Sequence, residues 1–257
     1  MRGPIALMTD FGLRDPFAGI MKGIILGINP SARIVDLCHD FPPGDIKSAA
    51  YSLLMAFPYF PAETILMVIV DPGVGTDRTA IAAEIGDKII VCPNNGVLSW
   101  ALDCHELKTA VTLDNGEFFL PNVSGTFHGR DIFAPVAAYL SLGVRIEELG
   151  PKLEMPVTFP IPRIVEQGQA IQGEVVYIDR FGNLMTNIPA DRLPEKAKIH
   201  IGSVEALGIS KTYGDVLPGH MAAVIGSMGC LEIAVNGGDA AQMLGASIGT
   251  HVLAYKL

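Results

Sequence analysis

Through the first half of the chain, apolar residues fall into short unbroken runs, and each run is closed by a polar cluster. PIALMT at 4–9 predicts a buried strand, and FAGIMKGIILGINP at 17–30 predicts a helix with apolar residues at helical spacing, ended by Asn29-Pro30. RIVDLC at 33–38 reads as a second strand. After the Pro42-Pro43-Gly44 turn, Asp45 is placed to cap a helix through DIKSAAYSLLMAF. TILMVIVD at 64–71 has no polar residue between Thr64 and Asp71, the pattern of a central strand covered on both faces. TAIAAEI and KIIVCP follow as two strands across Gly86-Asp87, and APVAAYLSLG after residue 133 as another helix. Strand, helix, strand, helix, strand is the order of an α/β layer with a mostly parallel sheet.

The texture changes at 151–167, PKLEMPVTFPIPRIVEQ, where four prolines mark a linker. Beyond it come short strands, AIQGEVVYID, NLMTNI, AKIHI, MAAVIG, CLEIAVN and HVLAYKL, separated by Gly-rich turns, with a short helix near GGDAAQML. A small barrel or sandwich fits that spacing. The expected class is α/β: an N-terminal domain over 1–160 and a smaller β domain over 168–257.

Composition narrows the function. The 257 residues are 49% hydrophobic and 18% charged, with 18 basic against 27 acidic residues and a net charge of -9. Without a Lys/Arg run, a nucleic-acid partner is not expected. The apolar run in MRGPIALMTDFG is too short for a signal segment, and no stretch of about 18 apolar residues predicts a membrane span. Cys38, Cys92, Cys104 and Cys230 lack CxxC spacing and read as buried free thiols of a cytoplasmic protein; Cys104/His105 is a weak metal pair.

Chemistry concentrates in TFHGRDIF at 126–133, which carries His128, Arg130 and Asp131 at a helix entrance. TDFG at 9–12, DPGVGTDR at 71–78 and PNNG at 93–96 each follow a strand, so the four clusters are expected at one sheet edge, where α/β proteins present ligand contacts. Asp10 either holds a ribose diol or stops its strand as an Asx-turn. Asp71 and Arg78, seven apart across two glycines, form either a site or a structural ion pair. His128 can serve as general base, as donor to an anion or as metal ligand, while Asp131 and Arg130 can be a dipole-compensating pair. Neither a P-loop nor a GxGxxG fingerprint is present. In the second half, YIDRFGNLMTNI places Asp179, Phe181, Asn183 and Asn187 around a hairpin turn, and SMGCLEIAVNGG reads as an edge strand and turn.

In this order TDFG, CHDFPPGDI, DPGVGTDR, PNNG, FHGRDIFAP, DRFGNLMTNI and GCLEIAVN make the chain resemble the SAM hydroxide adenosyltransferases, adenosine-forming S-adenosyl-L-methionine (SAM) hydrolases related to the SAM-dependent fluorinase and chlorinase. The resemblance implies an N-terminal α/β domain joined to a C-terminal β-barrel, assembled as a homotrimer with sites between subunits. It implies a triad of Asp71, Arg78 and His128 and ribose contact by Asp10. Asp179 would meet the methionine ammonium, Asn183 the adenine or nearby polar atoms, Ser227 the methionine carboxylate, Val235 and Gly237 the adenine edge, and Tyr213 would cover the ring. No cofactor and no metal are implied: SAM is the substrate, adenosine and methionine the products.

The chain departs from the halogenating branch at Gly44, where that branch has tryptophan, at Asp71 and Val74, where it has tyrosine and threonine, and at Gly129, where it has serine. A carboxylate beside the nucleophile repels halide, which disfavours a halogenase. Met228 replaces the arginine that holds the methionine carboxylate in the fluorinase. Two other readings are a metal-dependent phosphoesterase using Asp10, Asp71, Asn94, His128 and Asp131, and a non-catalytic SAM or nucleoside sensor.

Overall fold

A computed structural model describes residues 3–194 and 196–256, which divide into two compact units between Ile161 and Pro162. The first unit runs β1 (Ile5–Thr9), α1 (Phe17–Ile28), β2 (Ile34–Cys38), α2 (Ile46–Ala56), β3 (Ile65–Ile69), β4 (Ala80–Ile85), β5 (Lys88–Pro93), α3 (Ser99–Cys104), β6 (Leu107–Thr112) and α4 (Ala134–Leu142). Its sheet has the order β2-β1-β3-β5-β4-β6. β1, β2, β3 and β5 are parallel, while β4 turns back against β5 and β6 against β4.

The unbroken apolar run of β3 explains its place. Ile65, Met67 and Ile69 face a core shared with Met21 and Ile25 of α1 and Val136 and Leu140 of α4. Leu66, Val68 and Val70 face the opposite core, with Ala49 and Leu53 of α2 and Ala101 of α3. A strand covered by helices on both faces has no side on which a polar residue would be wetted. α2 starts where the sequence predicts, since Asp45 accepts from the Ser48 amide (3.0 Å) and from its hydroxyl (2.6 Å). α1 stops at Ile28, because Asn29 is extended and Pro30 follows.

The second unit contains β7 (Val165–Gln167), β8 (Ala170–Ile178), β9 (Leu184–Pro189), β10 (Ala197–Ile201), β11 (Val204–Leu207), β12 (Met221–Ile225), β13 (Cys230–Val235), α5 (Ala240–Leu244) and β14 (His251–Lys256). The path β11-β10-β14-β8-β9-β13-β12 is antiparallel, with β7 paired to β8. A bridge between Ser210 and Val224 links its two ends, so the sheet curls into a nearly closed barrel. Leu184, Thr186 and Ile188 alternate inward with partly exposed neighbours, the period of a strand buried on one face.

Three expectations need correction. β13 is an interior strand between β9 and β12, not an edge. Strands β6, β7 and β11 are absent from the sequence reading; they are short or mixed in polarity, and their neighbours recruit them. Of the four cysteines Cys92 alone is buried, and Cys104, on the last turn of α3, is exposed.

Candidate active site

Asp71 stands two residues beyond the end of β3, at the C-terminal edge of the parallel strands. The loop that follows folds back twice: the Val74 amide donates to the Asp71 carbonyl (3.2 Å), and the Thr76 hydroxyl donates to the Gly73 carbonyl (2.7 Å). Arg78 therefore returns to Asp71. Its Nε donates to Oδ1 over 2.9 Å, and its Nη2 makes a short contact with Oδ2, completing a two-pronged pair. The same Nη2 donates to His128 Nδ1 over 2.9 Å, and the guanidinium carbon lies 5.5 Å from the Phe133 ring centroid. With 11% of the Arg78 side chain and 6% of the Asp71 side chain exposed, the pair is screened far less than a surface ion pair.

An arginine has no acceptor, so this contact fixes the tautomer of neutral His128: Nδ1 accepts and Nε2 carries the proton. Burial first, and then the Arg78 charge, hold the His128 pKa below the ordinary histidine value, against the opposite pull of Asp71, Asp131 and the Ser124 backbone. His128 opens a single π-helical turn, Gly129–Phe133, which leads into α4. Asp131 in that turn is fully buried and accepts from the Ser124 amide (2.9 Å) and hydroxyl (2.7 Å) and from Arg130 Nε (2.6 Å). Asp131 and Arg130 thus brace the loop before His128.

A cavity of about 680 Å³ opens at this edge, and Asp71, Val74, His128 and Gly129 are among its lining residues. One wall is aromatic: Phe11, Phe17 and Phe127 meet edge to face with centroids 5.8, 5.9 and 5.3 Å apart. The sequence reading missed this wall. Its signal was an aromatic residue beside two of the polar clusters, Phe11 after Asp10 and Phe127 before His128.

Asp10 ends β1 nearby but outside the cavity lining. Its Oδ2 accepts from the Gly44 amide over 2.7 Å, which leaves Oδ1 for a ligand. Gly44 has φ +75°, so the position where the halogenating branch has tryptophan disfavours any side chain here. The PNNG cluster reaches the same edge in a bracing role. Asn95 donates to the Val70 carbonyl (2.8 Å), while Asn94 donates to the Thr79 hydroxyl (3.1 Å) and accepts from the Val157 amide (2.7 Å).

In the second unit, Asp179 Oδ1 accepts from the Phe181 and Asn183 amides (2.9 Å each), and Oδ2 accepts from the Asn183 side chain (3.0 Å). Both residues are thus tied into the β8–β9 turn, the hairpin chemistry that the sequence suggests. Tyr213 is half-exposed, and its hydroxyl donates to Glu232 over 2.6 Å. Ser227 is exposed on the turn before β13, Val235 is buried at the end of that strand, and Gly237 is exposed with φ +70°.

Among the described residues no three His, Cys, Asp or Glu side chains are grouped to hold a metal ion. Asp71 is committed to Arg78, Asp131 to Arg130 and Ser124, and Asn94 to Thr79 and Val157, so the ligand set imagined for a phosphoesterase is not assembled. His105 instead stacks on Phe57, with centroids 4.2 Å apart.

This arrangement, an Asp-Arg-His cluster at the edge of a doubly covered sheet in a chain that continues into a curled antiparallel sheet, defines a particular class. Residues 5–150 match the SAM hydroxide adenosyltransferase N-terminal domain and residues 173–253 the C-terminal domain of the same family. The chain belongs to the SAM hydroxide adenosyltransferase family. It is 39% identical over 252 residues to the (R)-S-adenosyl-L-methionine hydrolase of Salinispora tropica, covering 96% of each chain. It is 38% identical over 258 residues to the protein of the same name from Thermus thermophilus, covering 97% of this chain and 98% of that one. The crystal structure of an uncharacterized conserved protein from Thermotoga maritima superposes with a TM-score of 0.91 at 37% identity, covering 98% of this chain and all of that one. Proteins named fluorinase match at lower identity.

Proposed function

We propose that this protein hydrolyses SAM to adenosine and L-methionine, with Asp71, Arg78 and His128 as its triad. The observation that carries the reading is the Arg78 guanidinium shared between Asp71 and His128 beside a cavity with an aromatic wall. Water attacks the ribose 5′ carbon in line with the sulfonium. The C–S bond breaks with its electron pair on sulfur, so methionine departs as a neutral thioether and needs no acid. The demanding partner is the nucleophile, since bulk water has a pKa of about 15.7.

Arg78 supplies positive charge where hydroxide character grows. Asp71, the carboxylate among the lining residues, keeps Arg78 in place and uses a remaining lone pair to accept a hydrogen bond from the water, taking up its proton as the C–O bond forms. With Nδ1 occupied by Arg78, His128 offers Nε2–H as a donor that orients the water. Attack of an anion-like nucleophile on a cation neutralises charge, which a cavity walled by Phe11, Phe17 and Phe127 favours by excluding solvent. Asp10 holds the ribose through its free oxygen. The substrate contacts of the second unit are Asp179 to the methionine ammonium, Asn183 to adenine, Ser227 to the methionine carboxylate, Tyr213 over the ring, and Val235 and Gly237 at the adenine edge.

The positions that separate this chain from halogenating relatives support water as nucleophile. Asp71 brings negative charge to the cavity, and a Cβ at Gly129 would sit 2.9 Å from Met21 Sδ and 3.1 Å from the Phe127 ring, leaving little room for a serine. A homotrimer and a cytoplasmic location complete the proposal; four free cysteines fit a reducing compartment, and no helix among the described residues is long and apolar enough to cross a membrane.

The deciding experiment incubates the protein with SAM in chelator-treated buffer containing chloride, with products separated by chromatography and weighed. Adenosine and methionine are expected. 5′-Chloro-5′-deoxyadenosine would overturn the argument from Asp71, and SAM binding without product would leave a sensor. Light scattering of the same sample tests the trimer.

A further inference from the structure

Glu232 on β13 is 3% exposed, a carboxylate placed where desolvation is costly, and it is hydrogen-bonded to Tyr213. Burial first, and then the nearby Asp179 charge, raise its pKa, against the lowering effect of the Tyr213 hydrogen bond. Its Oε1 accepts from Tyr213, whose own pKa is pushed up to about 12, so the phenol remains a donor. Its Oε2 lies against the backbone of Gly226, where a Cβ would come within 2.4 Å of it. Gly226 begins the turn that carries Ser227 and Met228, closed by the Gly229 amide on the Gly226 carbonyl (2.9 Å) and the Gly226 amide on the Cys230 carbonyl (2.9 Å).

One buried acid therefore touches the tip of Tyr213 and the root of the Ser227 turn. We propose that Glu232 is a positioning residue for substrate binding: its carboxylate fixes the Tyr213 ring and the Ser227 turn in one arrangement, so that the second unit meets the nucleoside without first ordering these groups. The inference rests on the functional reading above. The tether matters because Tyr213 is half-exposed and otherwise free to rotate, and a ring ordered before binding loses less entropy on binding. The two oxygens of Glu232 are directed to Tyr213 and to the Gly226 turn within the second unit, so the expected effect falls on affinity rather than on the chemical step.

The test compares Glu232→Ala, Glu232→Gln, Tyr213→Phe and the Tyr213→Phe/Glu232→Ala pair by steady-state kinetics with SAM and by calorimetric titration with adenosine. Glu232→Ala and Tyr213→Phe are each expected to raise KM for SAM and Kd for adenosine by about tenfold, with kcat within about threefold of the parent. Glu232→Gln, which still accepts from the phenol, stays within about threefold in every constant. The pair is no worse than Glu232→Ala by more than about twofold, because both changes remove one interaction. A loss of kcat at unchanged KM, equal damage from Gln and Ala, or multiplying effects in the pair would overturn the inference. If Glu232→Ala does not fold, an unchanged Kd for adenosine in Tyr213→Phe overturns it and a tenfold rise sustains it. A parent that forms no adenosine from SAM refutes the functional reading instead, and the adenosine titrations still decide the role of Glu232.

Discussion

The backbone of Gly75 rests directly on the carbonyl of Gly125: a Cβ added to Gly75 would lie 2.1 Å from that oxygen, and Gly75 has φ +77°. Gly75 sits in the loop that returns Arg78 to Asp71, and Gly125 in the loop that delivers His128. The two halves of the triad, 50 residues apart in sequence, are thus registered by a backbone contact that only glycine permits.

Gly75→Ala should separate those loops. A displacement of about 1 Å at reacting groups can cost about a hundredfold in rate, and a residue forced into the left-handed region costs on the order of 1 to 3 kcal/mol. The variant is expected to melt a few degrees below the parent while kcat falls by about a hundredfold. Normal turnover would show that the loops are positioned by something else.

Arg78→Lys tests whether the cation or its geometry matters. A lysine keeps the charge but replaces a rigid fork with a single ammonium, which cannot hold both Asp71 oxygens and His128 Nδ1 in the same directions. The rate should fall by at least about a hundredfold, nearly as far as in Arg78→Ala. A lysine variant within a few fold of the parent would reduce Arg78 to a point charge.

The depressed pKa of His128 sets a pH dependence. Because burial and Arg78 disfavour its charged form, His128 stays neutral to lower pH than a histidine of the ordinary value of about 6.5. Below that value the unfolded chain takes up the proton before the folded one does, so this residue makes stability fall as pH drops from about 6.5 towards the folded pKa. The acid limb of kcat/KM should accordingly lie below pH 6.5. In Arg78→Ala the residual activity should show that limb shifted upward, and an unmoved limb would mean that His128 does not titrate in the profile.

Much of this was legible because the relevant physics is local. Asp45 followed by an apolar helical run announces a capped helix, and an unbroken run from Ile65 to Val70 announces a strand covered on both faces. Asp71 and Arg78 meet because seven residues with two glycines make one loop. His128 joins them through a contact that no local pattern encodes, and the seven ordered motifs made it visible only as a resemblance. Glu232 stayed hidden because a polar residue in an alternating strand reads as solvent-facing, and β13 as an edge strand; an interior β13 closes over that carboxylate. Cys104 went the other way: expected buried with the other cysteines, it is flanked by Asp103 and His105 and is exposed at the end of a short helix.

Asp10 carries the last prediction. Its Oδ2 is held by the Gly44 amide at 2.7 Å, so the carboxylate is aimed before any ligand arrives. If its other oxygen holds the ribose, Asp10→Ala removes a charge-assisted hydrogen bond that is worth about 1.5 to 3 kcal/mol, or roughly ten- to a hundredfold in affinity. An ordinary turn residue would lower affinity indirectly through a disordered loop, so affinity for SAM alone does not separate the two roles. An analogue of SAM lacking the ribose 2′ hydroxyl does. The parent should bind it at least about tenfold more weakly than SAM, and Asp10→Ala should bind both alike, because protein and ligand changes then delete the same contact. Equal discrimination by parent and variant would return Asp10 to the role of a strand stop, with the Gly44 bond as a tie between the two loops and the ribose held elsewhere.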